Sequence, residues 1–336
     1  MIRLRRAATL ALAGLLLAAC GGPNAPSAGG EQTEIRVTVT NSTEPYVIPW
    51  LVGDDQGLFA AHGVKIGQIV AGQGGSTTLR NLVSGGLEVA DVSFPAVVDG
   101  KRAGTPVTVV AGGTRSVYGL DFYTTVRSNV RTPADAKRWA FTNPGSVTEA
   151  LTYLVPKAAG VDPASIQHIA AGGVGEGIAL LESGAADVAV IPPSVAAKDP
   201  AKYRLVAASA DYLPAFQQSV LTVRDDYLAA NPTVVSGVIA GYQDAVQAIK
   251  RDPAAAARVY ADYVGIDEAA ARGIVDAALK SNNWSAGLDA AALNNAVEAM
   301  RAAGSTEDIP WCQVFNLSHL PEGASRELPV KCGGAS

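Results

Sequence analysis

Histidine, cysteine and methionine are almost missing from this chain, with three, three and two copies in 336 residues. So few ligating and proton-shuttling side chains leave little material for a metal cluster or a histidine-centred catalytic apparatus. Charged residues make up only 17% and aromatics 6%. The 26 basic residues are outnumbered by 31 acidic ones, a net charge of −5. That argues against the basic face a nucleic-acid binder carries. No Gly-x-Ser-x-Gly elbow, Walker A loop or complete Gly-x-Gly-x-x-Gly fingerprint occurs, so the common signatures of serine hydrolases, nucleotidases and dinucleotide enzymes are missing. His62, His168 and His319 fall in unrelated segments, and no cysteine–histidine pair has zinc spacing. What the chain has is apolar bulk, 48% hydrophobic residues, and length enough for two domains of ordinary size.

The first 19 residues read as an export signal. Arg3, Arg5 and Arg6 form a positive start, Ala7 to Leu17 is an uncharged apolar run, and Leu17-Ala18-Ala19-Cys20 follows. The run is short for a bilayer span. Its ending resembles a bacterial lipobox, where cleavage before the cysteine leaves a thiol that accepts a diacylglycerol. An ordinary signal peptide is the plainer alternative. Lipidated Cys20, with palmitate-type acyl chains, would hold the exported protein on a membrane surface. Loss of the three arginines takes the net charge from −5 to −8. Residues 20–33 are rich in Gly, Pro, Ala and Ser and read as a flexible tether. Cys312 and Cys332 remain, and in an oxidising compartment a disulfide between them is expected over two free thiols.

One pattern organises the folded part. Leu82-Val83-Ser84-Gly85-Gly86-Leu87-Glu88-Val89-Ala90 returns 99 positions later as Leu181-Glu182-Ser183-Gly184-Ala185-Ala186-Asp187-Val188-Ala189. Each copy follows a glycine-rich approach, Gly72–Gly75 and Gly172–Gly175. Two like helix–turn–strand units suggest two like lobes with a cleft between them. Strands are expected at 35–40, 64–70, 89–93, 106–111, 138–141, 166–170, 203–209 and 219–223. Helices are expected at 50–61, after Ser76 (with Leu79, Leu82 and Val83 on one face), at 96–103 and after Ser146. Ser146 and Glu149 form a capping box, and Pro156 should kink or end that helix. Alternating strands and helices mean an α/β fold with largely parallel sheets.

In such sheets ligands sit at the carboxyl ends of strands, beside helix N-termini. That places the candidate site on the loops at 41–46, 72–76 and 93–95, and on their second-lobe counterparts around 142–149 and 191–194. Gly74, Gly75, Ser76, Gly145 and Ser146 could present backbone N–H groups to a polar or negative group, although any single glycine serves equally as a turn former. Ser93, Phe94 and Pro193 close the strand ends, Tyr46 and Phe94 could cover an apolar part, and Glu44 could take a cationic group. Crossings near 118–123 and 209–220 would act as a hinge. Helices from Pro232 onward, at about 254–263, 268–280 and 290–302, read as a layer on the first lobe.

The ordered set Tyr46-Val47-Ile48-Pro49, Asp55 to Val64, Gly72-x-Gly74 with Leu82 to Ala90, Thr132 to Lys137, Gly145-Ser146 and Leu181 to Ala189 resembles the nitrate/sulfonate/taurine-type substrate-binding proteins of ABC transporters. That family shares a domain with the thiamine-pyrimidine synthases. The resemblance runs from about residue 35 to 260. It implies a two-lobed periplasmic-binding-protein fold of type II, each lobe a mostly parallel sheet flanked by helices. Lobe 1 is residues 34–120 plus 215–336, and lobe 2 is 121–214. The implied function is capture of a small organic or anionic solute by hinge closure and delivery to an ABC permease and its ATPase. The expected state is a lipid-anchored monomer without cofactor, not an enzyme. A pyrimidine-synthase-like enzyme and a ligand-sensing lipoprotein are the alternatives.

Overall fold

The computed structural model of the protein describes residues 32–332 except Gly85 and Glu307. The export signal, Cys20 and the tether up to residue 31 lie outside the described residues. Two five-stranded mixed sheets carry the fold. The first has the order β2-β1-β3-β10-β4, with β1 Thr33–Val39, β2 Val64–Ala71, β3 Val89–Ser93, β4 Val107–Gly112 and β10 Ser219–Arg224. The second has the order β7-β6-β8-β5-β9, with β5 Phe122–Thr125, β6 Arg138–Phe141, β7 Gln167–Ala170, β8 Val188–Val190 and β9 Tyr203–Ala207.

The sheets share one plan. Three strands pair in parallel, and the strand that arrives from the other half of the chain inserts antiparallel. That strand is β10 between β3 and β4, and β5 between β8 and β9. Buried apolar runs explain the central strands: every residue of β3 and of β8 is buried, as strands covered on both faces require.

Helices pack around the sheets: α1 Ile48–Asp55, α2 Gly75–Ser84, α3 Phe94–Arg102, α4 Val147–Ala158, α5 Val174–Glu182, α6 Pro193–Lys198 and α7 Ser209–Tyr212. The C-terminal third adds α8 Asp225–Ala230, α9 Pro232–Arg251, α10 Pro253–Val264, α11 Glu268–Lys280, α12 Ala290–Ala302 and α13 Trp311–Val314. Aspartates 252, 267 and 289 each accept a hydrogen bond from a first-turn N–H of α10, α11 and α12, the usual way to satisfy a helix start.

The repeated motif has one structural meaning. Both copies end a helix (α2, α5), turn, and enter the third strand of their sheet (β3, β8). Its acid fastens the neighbouring strand in each case. Glu88 accepts the Arg36 backbone N–H at 2.7 Å and pairs with the Arg36 guanidinium at 2.9 Å. Asp187 accepts the Arg138 backbone N–H at 2.9 Å and pairs with the Arg138 guanidinium at 2.6 Å.

Several expectations are corrected. The helix expected over 50–61 stops at Asp55. Gly57 adopts a positive φ of 66°, and a separate turn, Ala60–His62, follows. Leu79 and Leu82 are buried, but Val83 is 38% exposed. Pro156 lies inside α4, which runs on to Ala158. Pro156 has no N–H to give to the Thr152 carbonyl, so α4 forgoes that ladder bond without ending there. The strand expected to reach residue 209 ends at Ala207, and Ser209 opens α7.

The C-terminal helices do not all cover the first sheet. α9 and α10 pack on α1, while α12 sits between α3 and α4. One apolar cluster joins Leu293, Ala296, Val297 and Met300 of α12 to Val97 of α3 and to Leu151 and Val155 of α4. Cys312 and Cys332 are joined by a disulfide with a Cα–Cα distance of 5.3 Å.

Candidate functional site

A cavity of about 430 Å³ opens where the carboxyl ends of the parallel strands of the two sheets face each other. From the first sheet come the loop after β1 (Thr40 to Glu44, with Tyr46), the approach to α2 (Gln73, Gly74, Gly75) and Ser93 at the end of β3. From the second come Thr142, Ser146, Val147 and Thr148 around the start of α4, and Gly173 to Glu176 and Ile178 around the start of α5. Val195 of α6 and Leu120, Gln218 and Ser219 of the crossing segments complete the wall.

Local chemistry fixes these loops. Gln73 and Gly74 adopt positive φ values of 57° and 121°, which turn the chain from β2 into α2. The Gly74 N–H donates to the Thr40 carbonyl at 3.1 Å, tying two cavity loops together. Ser93 Oγ packs against Gly75, where a Cβ would come within 2.0 Å of it. In the second half, Thr148 Oγ1 contacts Thr142 Oγ1 at 2.8 Å and Ser146 Oγ at 2.9 Å. Ser146 caps α4 by accepting the Glu149 N–H at 3.1 Å. The Glu149 carboxylate accepts from Gly145 at 2.6 Å, one residue before the position a capping box uses. The Gly74, Gly145 and Ser146 N–H groups are therefore committed within the protein, since Ser146 donates to the Asn143 carbonyl at 3.1 Å.

The charges are sparse and of one sign. Glu44 and Glu176 line the cavity, and no lysine, arginine or histidine does among the described residues. Glu44 is 4% exposed, and burial pushes its carboxyl up to about 8. Behind the wall, Asp91 on β3 accepts the Trp50 indole N–H at 3.0 Å. Burial raises it to about 6, against the opposing hydrogen bonds from Ser219 and Trp50. At the crossings, Ser209 donates its N–H to Asp121 at 2.8 Å and its hydroxyl to the Leu120 carbonyl at 2.7 Å. Burial raises Asp121 to about 7. These bonds strap the outgoing and returning segments together.

Of the sequence candidates, Glu44, Tyr46, Gly74, Gly75, Ser93 and Ser146 come together around the cavity. Four lie elsewhere. Phe94 is fully buried and packs on Trp311 and Phe315, with ring centroids 6.1 Å away in each case. Ser76 is the second residue of α2, and Pro193 opens α6 beside Gly119. Gly145 lines a neighbouring groove with Asp99, Glu149 and Met300. Gln73, Thr142 and Thr148 lie in loops the sequence assigned to the site without singling these residues out, and sequence reasoning missed Thr40, Glu176 and Gln218. The Gly172–Gly175 approach, legible as the counterpart of Gly72–Gly75, was the signal for Gly173 and Gly175 beside the cavity, whereas the counterpart of Glu176 is Ser76, which lies outside it.

A family model described as "NMT1/THI5 like" matches residues 44–256. The chain belongs to this family. No curated protein sequence matches it. Solved structures do resemble it. The ligand-binding component of an ABC-type import system from Staphylococcus aureus superposes with a TM-score of 0.72 at 13% identity, covering 88% of this chain and 100% of that one. The alkanesulfonate-binding protein SsuA from Xanthomonas axonopodis pv. citri, bound to MOPS, gives 0.64 at 18% identity over 82% and 96%. The periplasmic nitrate-binding protein NrtA from Synechocystis PCC 6803 gives 0.56 at 15% over 71% and 69%. At these identities the likeness establishes the periplasmic-binding-protein fold.

Proposed function

We propose that this chain is the solute-binding component of an ABC importer. It captures a small organic molecule between two lobes and presents it to a membrane permease and its ATPase. The observation that carries the reading is the cavity itself, lined by equivalent loops from two sheets of one plan. In this reading lobe 1 comprises residues 34–120 and 215–336, lobe 2 comprises 121–214, and the straps between Leu120, Asp121 and Ser209 form the hinge. α12, packed on both α3 and α4, would move against one of them as the lobes rotate.

The wall of hydroxyls and amides suits binding more than bond-breaking, so the chain releases its solute unchanged. Closure biases a two-state equilibrium by the solute's differential affinity for the closed form, and the closed surface is what the permease reads. Export and a lipid on Cys20 would keep the monomer at the outer face of the membrane. Family membership and the resemblance to import-system binding proteins support this reading.

The test is uptake. Deleting the gene should abolish transport of the captured solute while the permease remains, and a Cys20→Ser chain should be released from the membrane fraction. Normal uptake without the protein, or chemical conversion of the solute by the purified protein, would refute it.

A further inference from the structure

The Glu44 carboxyl faces a cavity with no fixed cation. It has no hydrogen-bond partner among the described residues, although the side chain is only 4% exposed. A buried carboxyl that folding leaves unmatched costs stability, and such a group persists where a ligand completes it. The loop around it is held firmly. The Thr43 carbonyl accepts both Ser194 Oγ and the Tyr260 hydroxyl at 2.7 Å, and the Glu44 carbonyl accepts the Val47 N–H at 3.2 Å.

The other acid of the wall has a different setting. The Glu176 carboxylate folds over Gly173, where a Cβ would come within 2.4 Å of its Oε2, in the first turn of its own helix α5. Helix dipole and first-turn N–H groups favour an anion at that place, so α5 supplies its own. α4 does likewise with Glu149. The starts of α4 and α5 therefore each carry a glutamate of this chain in the first turn, which weakens the case for an anionic solute there. The rest of the wall is apolar in good part: Tyr46, Leu120, Val147, Val174, Ile178 and Val195.

We infer that the solute is an organic cation, a protonated amine or quaternary ammonium on a small apolar body, with its charge paired to Glu44 and Tyr46 beside it. A carboxylate with an aromatic ring is the ordinary recognition chemistry for such a group. The inference rests on the solute-binding reading above and narrows it.

The titratable groups facing Glu44 are Tyr46 of its own loop and Tyr260 of α10, with Glu176 across the cavity. None is basic. In the empty protein burial keeps Glu44 largely protonated at neutral pH. Binding of a cation therefore expels that proton, and affinity climbs as pH rises toward 8. A neutral or anionic solute that accepts a hydrogen bond from the protonated acid gives the opposite slope.

Isothermal titration of the purified protein with matched pairs tests this: benzylammonium against benzyl alcohol, and choline against 3,3-dimethylbutan-1-ol. Nitrate and benzenesulfonate serve as anions. The expected result is a preference of at least ~10-fold for the cationic member. That preference should vanish in Glu44→Gln, and proton release near pH 7 should appear as a dependence on buffer ionisation heat. Equal affinities within each pair, no binding of either ammonium ion, or anion binding that Glu44→Gln leaves intact would overturn it. Binding of an anion or a neutral molecule would leave the solute-binding reading standing. Binding of nothing, together with no solute retained from the producing cell, would remove both.

Discussion

Ser194 Oγ donates to the Thr43 carbonyl at 2.7 Å, joining α6 of the second sheet's half to the loop that follows β1 of the first. Ser194 is 1% exposed, so the bond is dry. It fastens the two halves next to Glu44. Replacing Ser194 by alanine removes a bond of about 1 kcal/mol present only when the halves meet. Solute affinity should drop about 5-fold while the fold stays intact, and small-angle scattering should show a more open form. Unchanged affinity would show that the bond is made in both forms.

Three buried acids set the pH response. Glu44, Asp91 and Asp121 have folded-state values of about 8, about 6 and about 7, all above ordinary carboxyl values. The folded protein therefore holds protons that the unfolded chain has released, and stability declines as pH rises through each window. The thermal midpoint of the empty protein should fall between about pH 5 and pH 8. Glu44→Gln should flatten the upper part of that fall and stabilise the protein by about 1–3 kcal/mol at pH 8, although it weakens binding. A midpoint that rises across this range would contradict the assignment.

Gly74 and Gly145 have positive φ values of 121° and 76°, but only Gly74 lines the cavity. A Cβ at Gly74 would lie 3.1 Å from Asn143 Nδ2 of the opposite half. Both alanine variants should lose about 1–2 kcal/mol of stability to backbone strain. Only Gly74→Ala should also impair solute binding. Equal binding by the two variants, measured by titration, would move the site away from the α2 start.

The Cys312–Cys332 disulfide spans a sequence separation of 20, and neither residue lines the cavity. The double serine variant should lose about 3 kcal/mol in denaturant unfolding and keep its solute affinity.

Much of the fold was legible because the repeat states it twice. Leu82 to Ala90 and Leu181 to Ala189 mark the third strand of each sheet, and the expected helix bounds at 268–280 and 290–302 match α11 and α12. Where local pattern and tertiary packing disagreed, packing won. Phe94 follows a strand end, as cavity residues do, but the C-terminal segment brings Trp311 and Phe315 onto it. No local signal carries that long-range contact. Gln218 escaped notice for a related reason. It belongs to the returning crossing, and only the pairing of β10 with β3 brings that crossing to the cavity. The placement of α12 between α3 and α4 likewise depends on surfaces distant in sequence.

The most direct test of the account is native mass spectrometry of the protein purified without denaturation, followed by release and identification of whatever it carries. Solute capture predicts a one-to-one complex with a small organic molecule, recovered chemically unchanged and absent from Glu44→Gln prepared in the same way. A protein that carries nothing and takes up nothing from a cell extract, or one that returns the molecule transformed, would contradict it.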